Sequence, residues 1–362
     1  MLEIHVINKG IGESIILQLP NKKWGVIDCY TSTLEDKNKN MTLNFLKEKG
    51  VETLAFIALT HPHEDHYKGF SHILEEYQGK IERVFFFDAL DSVKLVTFLE
   101  NEARVYEDTK RAFAVKELIK ILRGINKLKN VRKRALRECN KLYADSDNEF
   151  EMWAIGPTKN QIDKYEMKII NVFDNNRMIK NTDATDKNLI SGVIYIKYGE
   201  TGTILSGDAD KSSFQDILIN CTEIGFNLHF DAIKVSHHGS SDAFSEDLWK
   251  KRKNGKVYAI ITPALKYSLP SKEVLKNIHD KNVSILLTYP PLDEGNNTDK
   301  DSYLYDLIED GDIVFKLIED TEYYYDNDIE HDDKVMEYGI CSLKFDKKGI
   351  VDKKTLGHAY EF

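Results

Sequence analysis

The feature that most constrains this 362-residue chain is an apolar run followed at once by a cluster of histidines. The run, Leu54–Leu59, predicts a buried strand. The cluster that follows places His61, His63, Asp65 and His66 within six positions. Alternate residues of an extended segment point to the same side, so His61 and His63 face one point while Asp65 and His66 can reach a second. Imidazole and carboxylate groups suit Zn, Mn or Fe, so the cluster predicts a site for two divalent metal ions, Zn or Mn.

The cluster resembles the His-x-His-x-Asp-His signature of the metallo-β-lactamase superfamily, and other segments are similar to the soluble hydrolase domain of the ComEC competence proteins. The similarity covers residues 1–90 and 150–290. Two elements favour the ComEC-like branch, the Asn-x-x-Ser of Asn188–Ser191 and the His-His-Gly-Ser of His237–Ser240. The resemblance implies an α/β fold, specifically the αββα four-layer sandwich of the superfamily. The remaining matching segments are Val6–Ile15, Gly25–Asp28, Thr60–Gly69, Met152–Pro157 and Leu205–Asp208.

The resemblance also implies roles for individual residues. His61 and His63 would bind metal one, Asp65 and His66 would bind metal two, and Asp208 would bridge the two ions. His237 would complete site two and His238 would be its neighbour toward the substrate, although the sequence leaves the order of these two histidines open. Asp65 and His238 are the expected catalytic groups. Asp28 and Asn188 are expected to support the ligands, and the candidate substrate contacts are Lys234, Ser240, Ser241 and Lys266.

Three departures from the family pattern affect the site. Glu13 stands where the opening turn of the family usually carries Asp. The stretch Ser268–Pro270 replaces a Gly-His-Pro element, and no histidine lies between His72 and His229. We therefore expect an asymmetric two-metal site that is richer in ligands on the Asp65–His66 side.

The pattern along the chain predicts a single hydrolase domain, 1–362, with a helical basic insert at 91–148 and a divergent C-terminal extension at 300–362. Between Arg104 and Arg137 there are twelve Lys or Arg residues against three acids, a net of +9 in a chain whose total is −10. The cluster Arg132–Arg134 is predicted to lie on a helix of this insert. Such a surface favours phosphate backbones, but a solvated helix face would show the same composition.

Other features of the sequence indicate the compartment of the protein and its possible partners. No apolar run approaches the ~20 residues of a membrane span and the N-terminus is no signal peptide, so a cytoplasmic protein without a membrane segment is expected. The four cysteines lack metal-ligand spacing, which is typical of reduced thiols. Segment Glu319–Glu337 carries nine acids and one lysine, and is expected to be either an exposed loop or a contact for a protein partner.

The ligand set predicts a metal-dependent hydrolase, and the sequence leaves its substrate open. The favoured hypothesis is a phosphodiesterase or nuclease acting on nucleic acid, because of the branch resemblance and the basic insert. Hydrolysis of a carboxyl ester, thioester or lactone is an alternative. A catalytically weakened binding or regulatory protein is the third hypothesis, motivated by the missing histidines.

Overall fold

The computed structural model describes residues 1–87, 110–174, 187–289 and 338–361. Two eight-stranded sheets form its centre. The strands are β1 (Leu2–Asn8), β2 (Ser14–Gln18), β3 (Trp24–Ile27), β4 (Leu54–Leu59), β5 (Arg83–Phe87), β6 (Arg132–Leu136), β7 (Asn140–Asp145), β8 (Phe150–Gly156), β9 (Val193–Tyr198), β10 (Thr201–Leu205), β11 (Ala232–Lys234), β12 (Val257–Ile261), β13 (Val283–Leu287), β14 (Gly339–Phe345), β15 (Ile350–Gly357) and β16 (Tyr360–Glu361).

The two sheets have similar topologies. The first has the order β15-β14-β1-β2-β3-β4-β5-β6 and the second β16-β13-β12-β11-β10-β9-β8-β7. In each sheet four neighbouring strands run parallel, β3 to β6 in the first and β10 to β13 in the second. The carboxyl ends of parallel strands meet at one edge of a sheet, where loops can collect functional side chains.

Helices cover the outer faces of both sheets. The described helices are α1 (Met41–Glu48), α2 (Glu64–Tyr67), α3 (Phe70–Glu76), α4 (Lys110–Lys127), α5 (Lys159–Asp174), α6 (Lys211–Glu223), α7 (Glu246–Trp249) and α8 (Lys272–His279). One core lies between the first sheet and α1, α3 and α4, and another lies between the second sheet and α6, α7 and α8. A third core joins the two sheets, with Phe56 and Phe85 on one side and Met152 and Ile194 on the other. The four-layer αββα sandwich expected from the sequence is therefore confirmed.

The segment expected to be a helical insert is helical only in part. Within its described residues, helix α4 is followed by β6 and β7, which form the edges of the first and second sheets. The basic cluster Arg132–Arg134 lies on strand β6, so its placement on a helix was wrong. Residues 88–109, which include Arg104, lie outside the described residues.

The C-terminal extension contributes to both sheets. Strand β14 pairs with β1, β15 pairs with β14 across the turn at Lys347–Gly349, and β16 pairs with β13. This is the closing hairpin that the alternating sequence predicts, with one further strand. The acidic segment Glu319–Glu337 lies outside the described residues. Across the described ranges, no helix has both the length and the apolar character needed to span a membrane.

Candidate metal centre

The predicted ligands come together at the carboxyl ends of parallel strands from both sheets. Asp28 follows β3, His61 and the rest of the histidine loop follow β4, and Asp208 follows β10. His238 lies in a short loop after β11. Gly207 has a φ of +50°, and a Cβ at this position would lie 2.4 Å from the Ser191 hydroxyl, so the turn that brings Asp208 inward requires glycine.

Three buried imidazoles direct one nitrogen toward a common centre, because the other nitrogen is held by the protein. The Nδ1 of His66 lies 2.7 Å from Asp28 Oδ2, and the Nδ1 of His238 lies 2.7 Å from the Thr262 carbonyl oxygen. The Nδ1 of His61 lies 3.0 Å from the Thr60 hydroxyl, which donates to Asp28. These acceptors place the proton on Nδ1 and leave Nε2 available, as in metal-binding histidines whose ring orientation is fixed by a hydrogen bond.

Asp208 lies between two imidazoles and directs a different oxygen to each. Its Oδ2 is 3.5 Å from His61 Nε2, and its Oδ1 is 3.3 Å from His66 Nε2. His63 completes the first side, with its Nδ1 3.0 Å from His61 Nε2. His238 lies on the second side, where its Nε2 is 3.1 Å from Asp65 Oδ2. One carboxylate thus joins two groups of donor atoms, a geometry suited to a bridging ligand.

Burial and neighbouring charges shift the pKa values of the clustered side chains in opposite directions. Burial lowers the pKa of His61 and of His63, which favours the neutral imidazoles that bind metals. Burial also disfavours the charged form of His66, but the carboxylates of Asp208, Glu13 and Asp28 outweigh it and raise the pKa well above its usual value. Burial would raise the pKa of Asp208, yet the surrounding imidazoles hold it well below its usual range. A cation bound at this centre would take the place of the proton on His66.

The sequence leaves the order of His237 and His238 open, and the structure distinguishes their positions. His238 is buried within the cluster, whereas the His237 side chain is 26% exposed and its Nδ1 lies 3.4 Å from Asp242 at the surface. Both residues have a positive φ, 49° and 54°, within a tight turn that continues into Gly239. This turn directs successive side chains to different sides. The geometry therefore brings His238, and not His237, to the other donors.

The candidate substrate contacts are only partly placed near solvent. Lys234 is 1% exposed and its Nζ contacts the Glu13 carboxylate, so its ammonium is not available to a substrate. Ser241 and Lys266 are exposed, and Ser240 is half-buried beside the His237 turn. Asn188 lies half-buried in the short helical turn that precedes Ser191. The expectation that Lys234 contacts substrate was wrong, because this lysine is buried in an ion pair with Glu13.

Several residues of the centre were not assigned a role from the sequence. Glu13 is fully buried, and it groups with His66, Asp208 and His238 within 4.8 Å. Ser191 accepts from the Asp208 backbone N–H at 2.8 Å. Sequence signals exist for both residues. Glu13 lies in the opening turn that resembles the family pattern, and Ser191 is the serine of the Asn-x-x-Ser element.

The residues present fit divalent cations. Two groups of donors lie within 4.8 Å, one of His61, His63 and Asp208, and one of Glu13, His66, Asp208 and His238. Within the described residues, the buried His66 Nε2, Asp208 Oδ1 and Glu13 Oε1 form no hydrogen bond. Buried polar atoms are normally paired, so three such atoms facing one point indicate a ligand. A cation at this point would satisfy them.

Comparison with known proteins gives matches to solved structures alone, since no family model and no curated protein matches the chain. CmlA, a diiron β-hydroxylase from Streptomyces venezuelae, matches with 13% identity over 78% of this chain and 52% of its own, at a TM-score of 0.42. The chain thus spans about half the length of CmlA. The metallo-β-lactamase fold protein YhfI from Bacillus subtilis matches with 13% identity, 72% and 86% coverage, and a TM-score of 0.35. Zn-bound PqqB from Methylobacterium extorquens matches with 7% identity, 78% and 97% coverage, and a TM-score of 0.39.

Proposed function

We propose that this chain is a two-metal hydrolase of the metallo-β-lactamase type that cleaves phosphodiester bonds in nucleic acid. The observation that carries the proposal is the position of Asp208, whose two oxygens lie 3.5 Å from His61 Nε2 and 3.3 Å from His66 Nε2. A carboxylate shared by two donor groups is what a pair of adjacent cations requires. The ComEC-like resemblance and the basic residues near the histidine loop favour a phosphodiester over a carboxyl ester.

In this proposal the donors divide into two sets. His61 and His63 would hold one cation and Asp65, His66 and His238 would hold the other, and Asp208 directs one oxygen to each set. The chemistry that two cations supply in such a site is Lewis acidity, which acidifies water and stabilises negative charge on a phosphoryl oxygen. Glu13 is buried beside the second set, where its carboxylate is paired with the buried Lys234 ammonium.

The chain's own residues provide orientation and access. Asp28 fixes His66 directly and His61 through the Thr60 hydroxyl, so one buried carboxylate orients one imidazole of each set. His63 and Asp65 are partly exposed and form the open side of the cluster, while His61, His66 and Asp208 are buried. A substrate therefore approaches from the side of His63 and Asp65. Asp65 lies on this open side, where it is placed to orient the attacking water and to pass its proton outward.

The proposal is tested by loading the protein with Zn or Mn and measuring bound metal together with hydrolysis of bis-p-nitrophenyl phosphate, p-nitrophenyl acetate, and labelled DNA and RNA. We expect phosphodiester cleavage that is lost together with the metal in Asp208→Asn. Hydrolysis of the acetate ester alone would overturn the phosphodiester assignment in favour of an esterase. Metal binding with no hydrolysis of any of these substrates would indicate a binding protein.

The histidine turn supplies a matched pair of variants. Asparagine tolerates a positive φ, so His238→Asn and His237→Asn preserve the backbone of the turn equally well. We expect His238→Asn to lower bound metal and activity, and His237→Asn to leave bound metal unchanged. The reverse result would mean that the donor sets are wrongly assigned.

A further inference from the structure

A groove of about 620 Å³ lies between α3 and α4, outside the metal cluster. Its floor is apolar, with Leu74 from α3 and Ile119 and Leu128 from α4 or just beyond it. Among the described residues, its charged lining consists of four cations and one acid, namely Lys116, Lys120, Arg123, Lys127 and Glu75. The groove is therefore a basic cleft in a chain whose net charge is −10.

The four cations form one stripe along α4. At 3.6 residues per turn, positions 116, 120, 123 and 127 fall on one face of the helix, and position 113 falls on the same face, all within about 80°. Phe113 is 63% exposed at the N-terminal end of this stripe, and Lys116 Nζ lies 5.5 Å from its ring centroid. An exposed aromatic ring heading a row of cations is a surface that combines base stacking with phosphate contact.

The stripe begins at the metal loop. Tyr67, the residue after His66, donates its hydroxyl to the carbonyl of Ala114 in the first turns of α4 at 3.0 Å. At 1.5 Å per residue, the stripe then extends about 20 Å from Phe113 to Lys127. A polymer lying along it would have one end beside the metal loop.

The single acid of the groove does not cancel the stripe. Glu75 contacts Lys120 at 2.8 Å and Lys37 at 2.6 Å, and these lysines, Lys120 first, lower the pKa of its carboxyl to about 2. Lys37 comes from outside α4, so the acid has a cation of its own. The charges of Lys116 and Lys127 therefore add to a groove whose acid is already paired.

We propose that the α3–α4 groove binds a single-stranded segment of nucleic acid, with a base stacked on Phe113 and phosphates along Lys116 and Lys127. This inference rests on the proposed function, because it gives the substrate a path to the cluster. A single strand is favoured over a duplex because its bases are unpaired and can reach the ring. DNA and RNA share this chemistry, and the probes distinguish them.

Fluorescence anisotropy of labelled oligothymidylate, oligouridylate and a duplex, measured on the full chain over a range of salt, tests the inference. For single strands the logarithm of the binding constant falls with the logarithm of salt by about 0.7 per phosphate contact, so Lys116→Gln/Lys127→Gln should reduce that slope by about 1.4. Phe113→Ser should weaken binding roughly 5- to 100-fold and leave the slope unchanged. Oligothymidylate and oligouridylate bound alike would show that the groove reads the shared chemistry, and a preference for one would identify the polymer.

A matched control removes two exposed lysines from other elements, Lys276 on α8 and Lys348 in the β14–β15 turn. Lys276→Gln/Lys348→Gln should leave the slope as in the wild type. Equal effects in the control and the groove variant, no effect of Phe113→Ser, or tighter binding of the duplex would overturn the inference. Hydrolysis of bis-p-nitrophenyl phosphate separates this failure from that of the proposed function. That small diester does not extend along the groove, so its hydrolysis by the wild type and by Lys276→Gln/Lys348→Gln reports on the proposed function alone.

Discussion

A buried ion pair beneath the cluster gives the sharpest test of how the fold supports the site. The side chains of Lys234 and Glu13 are both fully buried, and the Lys234 ammonium contacts the Glu13 carboxylate. Lys234 also donates to the carbonyl oxygen of Gly207 at 3.3 Å, directly before Asp208. Glu13 accepts from the Thr262 hydroxyl at 3.0 Å. The pair thus joins the opening turn to the turns after β10 and β12.

Replacing Lys234 with methionine leaves the Glu13 carboxylate buried without its cation. Removing one partner of such a pair costs about 3–5 kcal/mol, because the other charge stays desolvated. With a urea m-value of about 3 kcal/mol per M, the unfolding midpoint should fall by roughly 1 M or more. Urea denaturation followed by circular dichroism measures this shift, and titration with Zn or Mn measures any loss of metal affinity.

A double-mutant cycle isolates the pair. Glu13→Gln keeps an acceptor for the Thr262 hydroxyl but removes the negative charge, so Glu13→Gln/Lys234→Met contains neither buried charge. We expect this double variant to be more stable than Lys234→Met alone, with strong coupling between the two sites. Additive losses in free energy would show that the two charges do not stabilise each other and would refute the reasoning.

Further predictions concern pH, ligand orientation and metal removal. Burial lowers the pKa of His5 from 6.5 to about 4. Between pH 6.5 and 4 the unfolded chain therefore binds a proton that the folded chain does not, and the free energy of unfolding should fall by about 3 kcal/mol as pH decreases through this window. His5→Gln should flatten that dependence in urea titrations, and an unchanged slope would contradict it. Asp28→Asn should weaken metal binding about 10- to 100-fold by isothermal titration, because Asp28 orients His66. Chelation should lower the melting temperature of the wild type and leave that of Asp208→Asn unchanged, since a ligand that binds only the folded chain stabilises it.

Most of the strands could be predicted from the sequence because they are buried on both faces. The run Leu54–Leu59 is apolar throughout and every residue in it is buried as β4. Strands β12 and β13 are likewise short, mostly apolar runs bounded by turns, and all five residues of β10 are buried although its sequence includes two threonines and a glycine. A strand that is buried on both faces needs apolar residues at nearly every position, so the sequence alone shows where it lies.

Strand β6 could not be predicted in this way. Its sequence begins Arg132-Lys133-Arg134, and charge of this density was taken to indicate a helix face. The strand pairs with β5 at the edge of the first sheet, and Arg134 donates to the carbonyl oxygen of Lys141 at 2.7 Å. Edge strands often carry basic residues because these prevent pairing with another chain. The basic residues that made β6 hard to predict are therefore typical of an edge strand.

The histidine loop could be predicted as a site because its donors are adjacent in sequence, but its partners depend on backbone turns. Choosing between His237 and His238 requires the positive φ values of both residues, which no periodicity reveals. The sequence marks Glu13 only as a departure from the family pattern, because a single acidic residue in a turn is common. It becomes part of the centre only when β2 and β11 are placed so that Lys234 reaches it.

The asymmetry expected from the sequence takes a definite form in the folded chain. Within the described residues, the first donor group contains His61, His63 and Asp208, and the second contains Glu13, His66, Asp208 and His238. The first group takes its two histidines from the first sheet alone, whereas both sheets contribute to the second. The second group therefore depends on correct packing of the two sheets, and Asp208 transmits that dependence to the first. A change that loosens the core between the sheets should weaken both metal sites together.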